Sequence, residues 1–258
     1  AVGFGAQSLV KSGGGTLLLS GNNNYSGGTP LSNGWLGVGH NNALGLGNLL
    51  MAGGTLTANG NRSLANNISL ANDATIDTAG NRLILAGEIA GGNALYKTGS
   101  GTLTYLGTNS YTGATVINQG ALVLAASLTN STVNVNVSGG LLFSNATSFI
   151  VGGLAGSGNI NLTNTGNQAV GLTVGRNNAS TLYSGVIAGS GSLTKNGSGE
   201  LELTGASTYS GGTVLNAGTL AVNNATGSGL GSGAVTVNGG TLGGTGTVAG
   251  AVTVNNTG

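Results

Sequence analysis

The side chains of this chain best suited to chemistry are two glutamates spaced two apart, Glu200 and Glu202. On one face of a strand such positions lie about 6.6 Å apart, within the range of an acid/base carboxylate couple. The plainer reading is a pair of solvated glutamates on an outer strand face. Asp73 and Asp77 would stand about 13 Å apart on an extended strand. A turn between them would be needed to build even a weak calcium site, and no Asp-rich ligand loop accompanies them. His40 is the single histidine and lacks a Ser/Asp pattern for nucleophilic catalysis. Glycine strings such as Gly99 to Leu103 do not both follow a strand and open a helix, so their context excludes a phosphate-binding loop. The triplets Asn145-Ala146-Thr147 and Asn161-Leu162-Thr163 matter only in a host that glycosylates. These residues predict no catalytic site, no metal site and no cofactor.

Composition narrows the classes further. Among 258 residues there are 6 Lys+Arg and 5 Asp+Glu, or 4% charged, where an ordinary domain carries about 25%. A net charge of +1 supplies no field to gather phosphates, which argues against nucleic acid. No cysteine is present, so thiol nucleophiles, cysteine-based zinc sites and disulfide staples are excluded. Gly occupies 54 positions beside one Pro, without the every-third-residue period of collagen. Low net charge and 39% hydrophobic residues exclude ordinary disorder. No apolar run approaches the roughly 18 residues of a membrane-spanning helix. The opening at Ala1, Val2, Gly3 and Phe4 carries no basic-then-apolar leader and reads as a mature or excised piece.

Three stretches align without a gap: Leu9 to Leu36, Leu95 to Leu122 and Leu193 to Leu220. Lys11, Lys97 and Lys195 are followed at one fixed spacing by Tyr25, Tyr111 and Tyr209, and at a second by Gly34, Gly120 and Gly218. A repeat protein is the reading. The lysines recur too regularly for chance and suit covering apolar surface or donating to turn carbonyls. The tyrosines sit beside glycine-rich turns and suit packing over them.

Within each copy the period is two. Glu200 to Thr204 and Thr102 to Leu106 alternate, which points Leu201 and Leu103 inward and Glu202 and Thr104 outward. Short strands are bounded by Gly, Asn and Ser, the turn formers, and no segment has helical spacing. The fold class is all-β. A propeller would need a blade repeat of roughly 40–50 residues, which is not visible. A parallel β-solenoid fits: coils of roughly 18–25 residues stacked at about 4.8 Å, with roughly 10–13 coils in one segment spanning 1–258. Its lining is expected to be aliphatic, the few aromatics reflecting a narrow interior, and its outside neutral Thr, Ser and Asn.

The pattern K-x-G-x-G-x-L-x-L-x-G followed by Y-x-G-x-T and G-x-L, starting at Lys11, Lys97 and Lys195, resembles the passenger-associated repeat of bacterial autotransporters. The closing stretch from Gly231 to Gly258 resembles the end of such passengers. The resemblance implies a right-handed parallel β-helix carried outside a Gram-negative cell. It also implies a C-terminal outer-membrane barrel in the same precursor, and repeats that support export. This segment would then be an internal, non-catalytic stalk or adhesin piece making host or self contacts. The first copy departs from the others at Pro30 and Trp35; Pro removes a ladder donor and predicts weakened pairing near residue 30. Two other classes remain in view. A β-helix carbohydrate-active enzyme would need carboxylates clustered with cations along a groove. A self-associating fibre or ice-binding solenoid would use low net charge and pairs such as Thr102/Thr104.

Overall fold

Alternation alone dictates the local structure. In Thr102–Tyr105 the side chains of Leu103 and Tyr105 are fully buried while Thr102 and Thr104 reach the surface. Thr55–Ala58 and Ala121–Leu124 repeat that pattern. The computed structural model describes residues 7–255, and among them every regular element is a strand. The strands pair in parallel with equivalent strands one turn away. That is a parallel β-solenoid of about 12 turns, and it divides into two compact units, one ending at Ala126 and one starting at Ser127.

In the first unit three sheets run side by side. One carries Thr29–Leu31, Leu49–Met51, Ile68–Leu70 and Ile89–Gly91. A second carries Thr16–Leu19, Trp35–Val38, Thr55–Ala58, Ala74–Asp77, Leu95–Thr98 and Thr115–Ile117. The third carries Arg62–Leu64, Arg82–Leu85, Thr102–Tyr105 and Ala121–Leu124. Trp35 stands opposite Thr55 and Thr55 opposite Thr75, so successive turns there are equal in length.

The second unit has less regular turns. The turn that returns from Ile160 to its partner Ile187 is long, whereas the one from Val235 to Val252 is short. The long turn holds extra chain in a loop closed by a Thr163–Ala169 bridge. Buried Asn164 organises that loop: its Oδ1 accepts the N–H groups of Gly166 and Gln168, and its amide donates to the carbonyls of Asn145 and Ala146. A column of amides also climbs this unit. Asn216 donates to Asn196, Asn238 to Asn216, and Asn255 to Asn238, over 2.7 to 2.9 Å.

Two expectations need correction. The lining is not purely aliphatic, because Tyr105, Tyr111, Tyr183, Tyr209, Phe143 and Phe149 are enclosed along with the leucines. Several of them find partners inside: Tyr183 donates to the Gly158 carbonyl at 2.5 Å, and the two phenylalanine rings lie 5.1 Å apart. Pro30 acts on one side only: Thr29–Leu31 pairs fully with Leu49–Met51, whereas toward the earlier turn it makes only an isolated Lys11–Leu31 bridge. In a parallel ladder both backbone groups of a residue face one neighbour. The Pro30 carbonyl accepts from Lys11 N–H at 2.8 Å, so its missing donor faces that earlier turn.

Adjacent positions should therefore respond oppositely to truncation. Leu103→Ala opens a cavity in a tight interior and should cost about 2–5 kcal/mol. Thr104→Ala, on the outer face, should stay within about 0.5 kcal/mol. Urea unfolding midpoints of the two variants read the difference.

Candidate functional site

A lysine on a strand that faces the interior must either lose its charge or find acceptors there. The repeat lysines find acceptors. Lys97 and Lys195 are almost completely enclosed and Lys11 nearly so. The Lys97 ammonium donates to the carbonyls of Thr98 and Gly99 at 2.7 Å each, and to that of Gln119, one turn on, at 2.9 Å. Lys195 does the same with Asn196, Gly197 and Ala217, at 2.8, 2.9 and 3.2 Å. Lys11 reaches the carbonyls of Gly13 and Asn33. In the second and third copies three protons meet three carbonyls, and the cation is held by backbone dipoles at a corner shared by two turns. Burial nevertheless lowers the Lys97 pKa to about 8, with the Asp77 carboxylate opposing the shift. Burial lowers that of Lys195 as well.

The repeat glycines lie on the same corners. Gly120 and Gly218 have φ of 63° and 71°. A Cβ on Gly218 would sit 2.4 Å from the Gly197 carbonyl, 2.5 Å from that of Gly199 and 2.9 Å from the Lys195 ammonium. Left-handed backbone and a close approach coincide, so only glycine fits. Gly34, with φ of 70°, meets Gly13, Gly15 and Lys11 in the same way.

The tyrosines complete the constellation. Tyr25, Tyr111 and Tyr209 are buried, and their hydroxyls bond to Thr29, Thr115 and Thr213 at 2.7, 2.5 and 2.5 Å. Burial pushes the Tyr209 pKa up to about 12, against the Thr213 bond, and raises that of Tyr25 in the same way. The Y-x-G-x-T pattern carries these buried threonines at the same spacing in all three copies, although it assigns them no role of their own. That fixed spacing is the available signal.

The residues considered for chemistry are not brought together. Glu200 and Glu202 lie on the outer side of Glu200–Leu203, where Glu202 accepts from the Asn223 amide at 2.9 Å. Asp73 accepts the Ala94 N–H and Asp77 the Ala79 N–H, each at its own corner. His40 accepts the Asn42 N–H through Nδ1 at 3.0 Å. Among the described residues no three acidic, histidine or cysteine side chains converge where a metal could sit.

Comparison with known proteins agrees with this geometry. The family model described as passenger-associated-transport-repeat matches residues 9–38, 95–124 and 193–222. The chain is 36% identical over 154 residues to the "Adhesin BmaC autotransporter" of Brucella suis biovar 1 (strain 1330). That similarity covers 57% of the chain and 4% of the relative's length. No solved structure matches.

Removing the cation while keeping its stem, as in Lys97→Met, leaves the Gln119 carbonyl without its donor, while Thr78 still serves those of Thr98 and Gly99, and should cost about 1–3 kcal/mol. Gly218→Ala should likewise destabilise, in thermal melts, where Gly243→Ala, with open space around it, should not. Stability should also peak at about pH 10. An unfolded lysine titrates at about 10.4 and buried Lys97 at about 8, so between those values the unfolded chain binds more protons and stability rises with pH. Above about 10 an unfolded tyrosine ionises while Tyr209 holds its proton to about 12, and stability falls. Melting midpoints across that range read both limbs, and Lys97→Met should diminish the rise.

Proposed function

We propose, from the premise that the chain is a stretch of autotransporter passenger carrying three passenger-associated transport repeats and displayed at the cell surface, that it is a non-catalytic adhesive stalk whose repeats support export and stepwise folding. One observation carries the reading. A repeat closes its own contacts: Lys97 donates to Gln119, Gly120 packs closely on Gly99 and Gly101, and Tyr111 bonds to Thr115. None of these contacts requires residues outside the segment from Leu95 to Leu124. A repeat can lock as soon as its own residues are clear of a pore, and coils added later stack on a finished template.

The low charge suits the same task. The chain has only 6 Lys+Arg and 5 Asp+Glu, and three of the cations are the repeat lysines, which turn inward. A chain with few hydrated charges and no disulfides passes a narrow channel at low desolvation cost. The partner is the outer-membrane barrel of the same precursor, through which the segment travels. Adhesion comes from the relative, an adhesin by name, and accords with outward strand faces made of Thr, Ser and Asn rather than a charged cleft.

The test replaces all three repeat lysines with methionine in the full precursor and measures surface display by antibody labelling and protease accessibility. Display should fall in the triple variant and less in each single one. Undiminished display after all three substitutions would defeat the export role.

A further inference from the structure

One outer face in the first unit breaks the pattern that the repeats set. At three equivalent outward positions the second copy has Thr104, Ala121 and Val123, and the third has Glu202, Thr219 and Ala221. The first copy has Leu18, Trp35 and Gly37 instead. Trp35 is 50% exposed and Leu18 48% exposed, so neither side chain is spent on the interior. Leu18, Gly37, Thr57 and Asp77 stand opposite one another on four successive strands, a row about 14 Å long at the usual strand spacing. Trp35 borders that row, and Gly37, lacking a side chain, forms a floor beside the indole. The result is a groove of about 680 Å³ lined by Leu18, Trp35, Gly37, Thr57, Asn59 and Asp77 among others, within the size range of small-ligand sites.

Its chemistry is mixed in a specific way. The indole offers a flat apolar platform, and the neighbouring Leu18 extends it. Among the described residues neither the indole N–H nor the Asn59 side-chain amide has a protein partner. The Thr57 hydroxyl beside the groove makes no hydrogen bond, its oxygen being closed off from solvent. The one charge in the lining is the carboxylate of Asp77, which disfavours an anion. The row crosses four strands rather than running along one, so added-strand binding of a peptide does not describe it.

We infer that this groove binds a neutral oligosaccharide, with the C–H face of one pyranose ring stacked on Trp35 and its hydroxyls directed to Asn59 and Asp77. The assignment goes beyond the export and stalk role and stands on the groove alone.

Trp35 is the single tryptophan of the chain, so intrinsic fluorescence reports on this site directly. The 258-residue chain is titrated with cellotetraose and with N-acetylchitotetraose, and with trigalacturonate as the anionic control. A saturable change in Trp35 emission with at least one neutral sugar, weaker with the anion, is the expected result. Gly37→Val fills the floor with the residue the second copy already carries, keeps the fluorophore and should weaken binding about tenfold or more. Trp35→Ala, matching Ala121, should do the same by calorimetry with an unchanged circular dichroism spectrum. No response to either neutral sugar up to its solubility limit would overturn the assignment. So would preference for the anion, or affinity unaltered by both substitutions. Emission that changes with protein concentration alone, and not with sugar, would give the groove to a second copy of the chain and equally overturn it.

Discussion

Corners are where a parallel solenoid is hardest to build. Strand ladders satisfy the backbone on the flat faces, but where the chain bends carbonyls converge with too few backbone donors, and burying them unpaired is costly. A lysine ammonium pointing inward resolves the conflict, because it brings three donors to one point. Lys97 and Lys195 each tie two carbonyls of their own corner to one from the next turn. The corner then closes so tightly that the following turn can place only glycine there. The repeat motif is thus one physical solution, written as a lysine, a glycine and a tyrosine–threonine pair.

This explains an otherwise odd use of charge. A chain with 6 Lys+Arg would be expected to keep them in water. Half are instead enclosed at corners and held by backbone carbonyls. The desolvation cost shows in the lowered pKa of Lys97, which the Asp77 carboxylate opposes only in part. The exterior is left almost uncharged, so contacts made there rest on hydroxyls, amides and a few apolar side chains rather than on long-range attraction.

Much of this architecture was legible before any coordinates. Period-two alternation put Leu103 and Leu201 inside, and the gapless copies marked Lys97, Tyr111 and Gly120 as a set. The inward direction of the lysine was not legible, since alternation treats a charged residue as a surface one; only the carbonyl trio makes the interior habitable. Aromatic burial escaped for a related reason: the Gly158 carbonyl that accepts from Tyr183 lies in another turn, and alternation does not show that Phe143 and Phe149 face each other. The long turn organised by Asn164 was equally hidden, as one asparagine among many in a polar stretch. The groove at Trp35 was visible only as a departure from the other copies, and register was needed to align Gly37 with Thr57 and Asp77.

The amide column of Asn196, Asn216, Asn238 and Asn255 has a consequence of its own. Every rung passes its hydrogen bond toward the preceding turn, so the small dipoles point the same way and polarise one another. Such a row is asymmetric toward damage. Losing a middle member such as Asn216 severs two links, one to the turn before and one to the turn after, whereas losing Asn255 severs only its own link to Asn238. Chemical ageing of asparagine to aspartate would therefore be felt most in the middle, where a new negative charge would replace the donor that faces the preceding rung.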